Sequence, residues 1–264
     1  YFRQCSILVT ARDLAIMAAT LANRGVNPVT GDQVVTPYAV ARTLSVMTSS
    51  GMYDYAGEWT YRVGMPAKSG VGGGIVAALP SQLGLGTFSP LLDSHGNSVR
   101  GLKVCEALSS HFDLHVLISG GDVHTCIIAN YHIGGISSRR SRLPNEQQLL
   151  DEHKQEIRVL ELVGALTFAT IDFISRQLDV PRPQLLILDF HRVPSITKAA
   201  ARLLAETLAD LTGGGGTAIL SGIERTSSKW ASIWEWIEDT PQVRSFTLLD
   251  EAIEWAEDQI IYRY

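Results

Sequence analysis

Apolar residues recur along the chain in two rhythms. Near the amino end, Leu14, Met17, Ala18 and Leu21 fall at helical spacing behind Thr10, with Asp13 in the first turn and Gly25 as a stop, so a capped helix is predicted. Thr36 and Pro37 open a second helix that Gly51 closes. Residues 58–63 then read as strand, and a further extended run, 67–79, is interrupted by Gly70, Gly72, Gly73 and Gly74. Glycines at that density in a strand mark a bulge or a close approach of backbone or ligand. Residues 119–156 lose all period: Gly120, Gly121, Gly134, Gly135, Ser137 and Ser138 precede Arg139, Arg140 and Arg142 and a polar run, which reads as a linker or irregular edge. Beyond it, strands at 157–163, 185–190, 217–221 and 245–249 alternate with helices at 168–178, 196–211, 229–238 and 251–261. Leu204, Leu208 and Leu211 share one helical face, as do Trp230, Ile233, Trp234 and Ile237. Such alternation predicts a small, at least partly parallel sheet covered by helices. The organisation expected is a multidomain α/β and α+β protein: a first domain at 1–118, a linker at 119–154 and an α/β domain at 155–264.

Composition narrows the function classes. The 264 residues are 45% hydrophobic, and 22 basic against 27 acidic side chains leave a net charge of −5, which excludes a broadly basic nucleic-acid surface. Apolar runs such as 75–79 fall far short of the roughly 20 residues that span a bilayer, so no membrane insertion is expected. No secretory signal is visible, and Cys5, Cys105 and Cys126 are too few for a disulfide framework; a cytoplasmic setting is expected. The chain opens on Tyr1 rather than Met, which reads as a processed or partial chain.

Candidate chemistry concentrates in Gly51-Met-Tyr-Asp54 and Pro66-Ala-Lys-Ser-Gly-Val71. Lys68-Ser69-Gly70 on a glycine-rich strand puts a cation, a hydroxyl and an exposed N–H on one edge, the parts that bind a carboxylate and hold an oxyanion; an ordinary edge strand carries the same tripeptide. His111 and His115 stand four apart near Cys105, a chelating spacing if helical, but no acidic partner supports it and a packing role is favoured, so no metal or cofactor is expected. His124, Cys126 and His132 lack ligand spacing, and Gly213 to Gly216 lacks the Gly-Lys-Ser/Thr ending of a phosphate loop. Arg139, Arg140 and Arg142 offer contacts to an anionic partner but read more simply as a solvated hinge, and Trp236, off its helix's apolar stripe, as a contact surface.

Longer motifs go further. Tyr1-Phe-Arg-Gln-Cys-Ser-Ile7, Met17-Ala-Ala-Thr-Leu-Ala-Asn23, Leu44-Ser-Val-Met47, Gly51-Met-Tyr-Asp54, Pro66-Ala-Lys-Ser-Gly-Val71, Ser89-Pro-Leu-Leu-Asp93 and Gly96-Asn-Ser-Val99 resemble, in order and spacing, the C-terminal half of the serine-dependent glutaminases. The resemblance covers about 1–115. It implies a β-lactamase-like (penicillin-binding-protein-like) fold, present in part, and hydrolysis of L-glutamine to glutamate and ammonia by the Ser of an S-x-x-K motif with its Lys as base. By the same resemblance Tyr1 contacts bound glutamine. Tyr53 lies between nucleophile and leaving amine as a proton shuttle, Val71 lends its N–H to an oxyanion hole, and Lys68 gives electrostatic support. The single S-x-x-K here, Ser195-Ile-Thr-Lys198, lies in the second domain and is not that nucleophile by position. Nucleophile and base are therefore expected upstream of Tyr1, and these 264 residues alone are expected to be inactive. Related glutaminases self-associate, which implies a homo-oligomer.

The second domain resembles the STAS family, the sulfate-transporter and anti-sigma-factor-antagonist modules, through Val159-Leu-Glu-Leu-Val-Gly-Ala-Leu-Thr-Phe168, Leu186-Ile-Leu-Asp-Phe190, Val193, Ile196 and the helix from Ala199. That implies a regulatory or interaction module with an unidentified partner. The antagonists carry a phosphorylatable Ser or Thr at the start of that helix; Lys198 or Ala199 stands there, so no such switch is expected. Two functions follow: a glutaminase with a STAS module, or a non-catalytic STAS-type binding module.

Overall fold

The computed structural model describes residues 1–118, 123–133, 137–178, 182–237, 240 and 242–264. Gly120, Gly121, Gly134 and Gly135, named above, and the last residue of the helix expected at 229–238 lie outside them, as does the side chain of His124. The chain divides into two compact units, Tyr1–Gly121 and Asp122–Tyr264. The described residues form a mixed α/β protein with two separate sheets.

The first unit begins with the short helix α1 (Phe2–Cys5), followed by α2 (Ala11–Ala22) and α3 (Pro37–Ser50). The predicted caps form. Thr10 Oγ1 accepts from Asp13 N–H at 3.2 Å while the Asp13 carboxylate accepts from Thr10 N–H at 2.8 Å. Thr36 Oγ1 accepts from Ala39 N–H at 3.3 Å. Residues 58–63 are not strand but lie in helix α4 (Ala56–Arg62) and its cap. Helical folding buries Ala56, Trp59 and Val63 together and pairs Glu58 with Arg62 at 2.7 Å; short-range alternation could not reveal either. The glycine-interrupted run becomes a hairpin: β1 (Ala67–Ser69) and β2 (Gly74–Leu79) are antiparallel, and β3 (Leu83–Phe88) extends the sheet on the far side of β2. Helix α5 (Val99–Phe112), capped by Ser98, closes a core of Met52, Trp59, Met65, Ile75, Leu79 and Cys105.

In the second unit the expected linker is largely structured. Strand β4 (Ile127–His132) pairs antiparallel with β5 (Ile157–Val163), and helix α6 (Pro144–Glu152) lies between them in sequence. The flanking glycines and arginines had masked a six-residue strand too short to show a period. Strands β5, β6 (Leu185–Arg192), β7 (Thr217–Ser221) and β8 (Val243–Phe246) run parallel in sequence order. Leu160, Leu188 and Leu220 align across one face beneath α7 (Phe168–Leu178), α8 (Lys198–Gly213) and α9 (Ala231–Ile237). Val159, Ile187 and Ile219 align on the other, beneath α6 and α10 (Leu249–Arg263). This doubly buried sheet explains why its strands read as continuous apolar runs. Helix α8 starts later than its apolar pattern suggested, and the hydroxyl at its start belongs to Thr197, which accepts from Ala200 N–H at 3.3 Å.

Of the three arginines, Arg139 and Arg140 remain exposed and Arg142 does not. Arg142 is buried against α10, its Nη2 2.8 Å from Glu257 and its Nη1 bonded to Asp258; Arg140 pairs with Glu254 at 2.9 Å. Trp230 and Ile237 are core, Trp234 is half-buried, and Trp236 is exposed beneath the Arg202 guanidinium. No helix among the described residues is long and apolar enough to cross a membrane.

Candidate active site

In the first unit, the turn after α3 and the β1–β2 hairpin bring two of the expected residues, Tyr53 and Lys68, together. Tyr53 begins a 3₁₀ turn, Tyr53–Tyr55, and takes φ of +54°, a left-handed value that non-glycine residues rarely adopt. Its phenol donates to the Ser69 carbonyl at 3.1 Å. Lys68 Nζ donates to the same carbonyl and lies 4.5 Å from the centre of the Tyr53 ring. A phenol and an ammonium thus converge on one peptide oxygen at the end of β1.

The end of β1 is tied to Gly51 through the Ser69 amide. Ser69 N–H donates to Gly51 O at 2.9 Å, and a Cβ on Gly51 would stand 1.7 Å from Ala67 O, so only glycine lets the two backbones approach. Just beyond, Gly73 N–H donates to Gly70 O at 2.9 Å, closing a turn whose second residue is Val71. The amide of that position is not consumed by the turn, and Val71 N–H makes no hydrogen bond among the described residues. The dense glycines therefore build a tight turn that presents a free donor.

Two expectations fare differently. Strand alternation puts Ser69 on the face opposite Lys68, fully buried, with its hydroxyl unbonded among the described residues, so the tripeptide does not offer cation and hydroxyl on one edge. Tyr1 is 89% exposed; its ring meets Phe2 edge-on, and it makes no hydrogen bond or ring contact with Tyr53, Lys68 or Val71.

The histidine pair dissolves as well. Asp113, at φ +55°, ends α5, so His115 is not helical; its Nε2 bonds the Thr60 carbonyl at 3.0 Å. His111 packs edge-on to Phe112. Burial pushes the Cys105 thiol up to about 12 and the Cys126 thiol up to about 11, which makes both poor ligands and nucleophiles near neutrality. Among the described residues no three His, Cys, Asp or Glu side chains could hold a metal ion.

One polar cluster escaped the sequence reading. At the carboxyl ends of β6 and β7, the buried Asp189 carboxylate accepts from Ser221 Oγ and from His191 Nδ1, both at 2.6 Å. Serine and histidine each donate to the carboxylate rather than to one another, so this is not a nucleophile–base relay. The in-register pairing of Asp189 with Ser221 is the signal, and it exists only once the sheet is assembled.

Residues 1–117 match the family model described as Glutaminase. "Glutaminase 2" of Bradyrhizobium diazoefficiens is 69% identical over 266 residues, covering 100% of this chain and 43% of that protein. "Glutaminase 1" of the same organism is 62% identical over 265 residues, again covering 100% of this chain and 43% of its own length. A glutaminase of Microcystis aeruginosa is 62% identical over 116 residues, 44% of this chain and 34% of that protein. The chain thus spans less than half the length of these relatives, and the two Bradyrhizobium proteins share both of its units.

Proposed function

We propose, from the match of residues 1–117 to the glutaminase family model, that this chain is part of an enzyme that hydrolyses the side-chain amide of L-glutamine to glutamate and ammonia. The observation that carries the proposal is the convergence of the Tyr53 phenol and the Lys68 ammonium on the Ser69 carbonyl, two residues before the unspent N–H of Val71. In this reading a serine outside the 264 residues, deprotonated by its own lysine, attacks the amide carbon. The oxyanion forms beside the Val71 N–H. Tyr53 hands a proton to the departing ammonia, and Lys68 favours the accumulating negative charge. Water then releases glutamate from the acyl-enzyme and regenerates the serine. Tyr1, exposed in this structure, contacts the bound glutamine, and the first unit is part of a β-lactamase-like domain.

The second unit, with its four sequential parallel strands, serves as a STAS-type regulatory or interaction module for an unidentified partner. The protein works in the cytoplasm as a homo-oligomer; its three free cysteines suit a reducing compartment.

The test is ammonia release from L-glutamine by the intact protein. Tyr53→Phe should lower kcat by roughly 10²- to 10⁴-fold, the usual worth of a positioned proton donor. An unchanged rate would remove Tyr53 from the mechanism. No release by the unsubstituted protein would leave the binding-module reading in its place.

A further inference from the structure

Tyr53 is held in its rare backbone conformation by something, and the packing points to the loop before α5. Three consecutive residues of that loop meet the turn that carries Tyr53. The His95 ring lies 5.7 Å from the Tyr55 ring. A Cβ on Gly96, at φ +84°, would stand 3.9 Å from Tyr53 Cε2, so the loop backbone lies alongside the phenol ring. Asn97 Nδ2 donates to the Met52 carbonyl at 3.4 Å.

The last contact is the decisive one. Met52 O belongs to the peptide that joins Met52 to Tyr53, and rotation about the next bond is the φ of Tyr53. Anchoring that peptide plane removes the easiest route by which Tyr53 could relax to an ordinary negative φ. Met52 O also accepts from Tyr55 N–H at 3.2 Å inside the turn, so Asn97 is the donor that ties this peptide to the loop before α5; Asn97 and Met52 are both fully buried, and water offers no replacement for that outside donor. Asn97 is itself fixed: its N–H donates to Asp93 Oδ1 at 2.9 Å, and its carbonyl accepts from Asp93 N–H at 2.8 Å. Its Oδ1 is buried and unbonded among the described residues, so the donor is the only half of the amide in use.

We propose that Asn97 is a positioning residue for Tyr53: by clamping the 52–53 peptide from the Asp93–Ser98 loop, it keeps the phenol on the Ser69 carbonyl. The proposal rests on the reading of Tyr53 as the proton carrier. Nothing in the chemistry requires Asn97 to touch glutamine.

The experiment uses the intact protein with Asn97→Asp, which keeps size but removes the donor, and Asn97→Ala, which removes it without adding a buried charge. The variant that retains the unsubstituted melting profile is taken forward; if neither does, both are read below their melting transitions. The kcat for glutamine should fall about 10- to 100-fold, the scale on which small misplacements of a reacting group act, while KM stays within about twofold. A second readout is the ¹⁹F spectrum of protein labelled with 3-fluorotyrosine, with the Tyr53 resonance assigned by its loss in Tyr53→Phe. That resonance should shift or broaden while the other tyrosines keep theirs. A kcat within twofold of the unsubstituted protein overturns the proposal, and so does an unmoved Tyr53 resonance at any rate. If the unsubstituted protein releases no ammonia, the functional reading fails, and the fluorine spectrum alone still decides whether Asn97 holds Tyr53.

Discussion

Replacing Arg142 with alanine should destabilise the second unit far more than replacing Arg140, two residues away. The Arg142 side chain is 3% exposed and faces Glu257, which is fully buried. Its Nη2 and Nε lie 2.8 and 3.2 Å from Glu257 Oε2, its Nη1 bonds Asp258, and Nη2 also donates to Glu254 O at 3.2 Å. Truncation leaves the Glu257 carboxylate on the buried side of α10 with, among the described residues, only Ser138 N–H and Oγ as donors. An uncompensated buried charge of that kind costs about 3–5 kcal/mol. Arg140 makes ion pairs with Glu254 and Asp258, but its side chain is 51% exposed, so Arg140→Ala should cost about 1 kcal/mol or less. Urea unfolding followed by tryptophan fluorescence suits the comparison, because Trp230, Trp234, Trp236 and Trp255 all lie in this unit. Adding Glu257→Gln to Arg142→Ala should recover part of the loss by removing the stranded charge. The Arg140 effect should shrink in high salt and the Arg142 effect should persist. If the two arginine variants differ by less than about 1 kcal/mol, the buried-pair reasoning is wrong.

The remaining expectations concern the first unit. Gly51→Ala must move a backbone carbonyl, since the added Cβ would stand 1.7 Å from Ala67 O and 2.5 Å from Met47 O. A loss of about 4 kcal/mol or more is expected in thermal or urea melts; a loss under about 1 would show that β1 can shift away freely. At pH 8, iodoacetamide followed by mass spectrometry should label Cys5, which is exposed, and spare Cys105 and Cys126 until the chain unfolds. Because burial raises the Cys105 thiol from 9.0 to about 12, the folded state holds that proton more tightly than the unfolded one. Its stabilising contribution is complete below pH 9 and is lost as pH rises towards 12, so Cys105→Ala should flatten the alkaline decline of the first unit's stability. Tyr55, which burial also raises, leaves a smaller decline of the same sign, and an unaltered slope in the Cys105 variant would contradict the assignment.

Much of the fold is legible wherever local rules and burial agree. Thr10 with Asp13, and Thr36 with Pro37, mark helix starts because capping involves residues three apart and needs no distant partner. Strands β5 and β7 and helix α7 have the very bounds that their apolar runs suggest. The failures share a cause. Residues 58–63 are rich in strand formers, yet they coil because Trp59 has a core to enter and an acceptor in Met65 O at 2.7 Å. Residues 127–132 were lost in a glycine- and arginine-rich neighbourhood, yet they pair with β5 once that strand exists.

The residue types at the candidate site can be read without any fold: a tyrosine after Gly51-Met52, a lysine before Ser69, and a glycine-flanked Val71. So can the caps, the hairpin glycines and the apolar alternation of the second sheet, all of which depend on spacings of a few residues. Tertiary structure decided what those residues face. Strand parity turned Ser69 away from Lys68, Gly51 let β1 close on the turn, and loop 93–98 set the peptide before Tyr53. It also buried Arg142 against Glu257, 115 positions away, converting an apparent hinge into an internal ion pair. Charge and hydrogen-bonding capacity are written into each residue, but whether they meet water or one another depends on which distant segments fold against them.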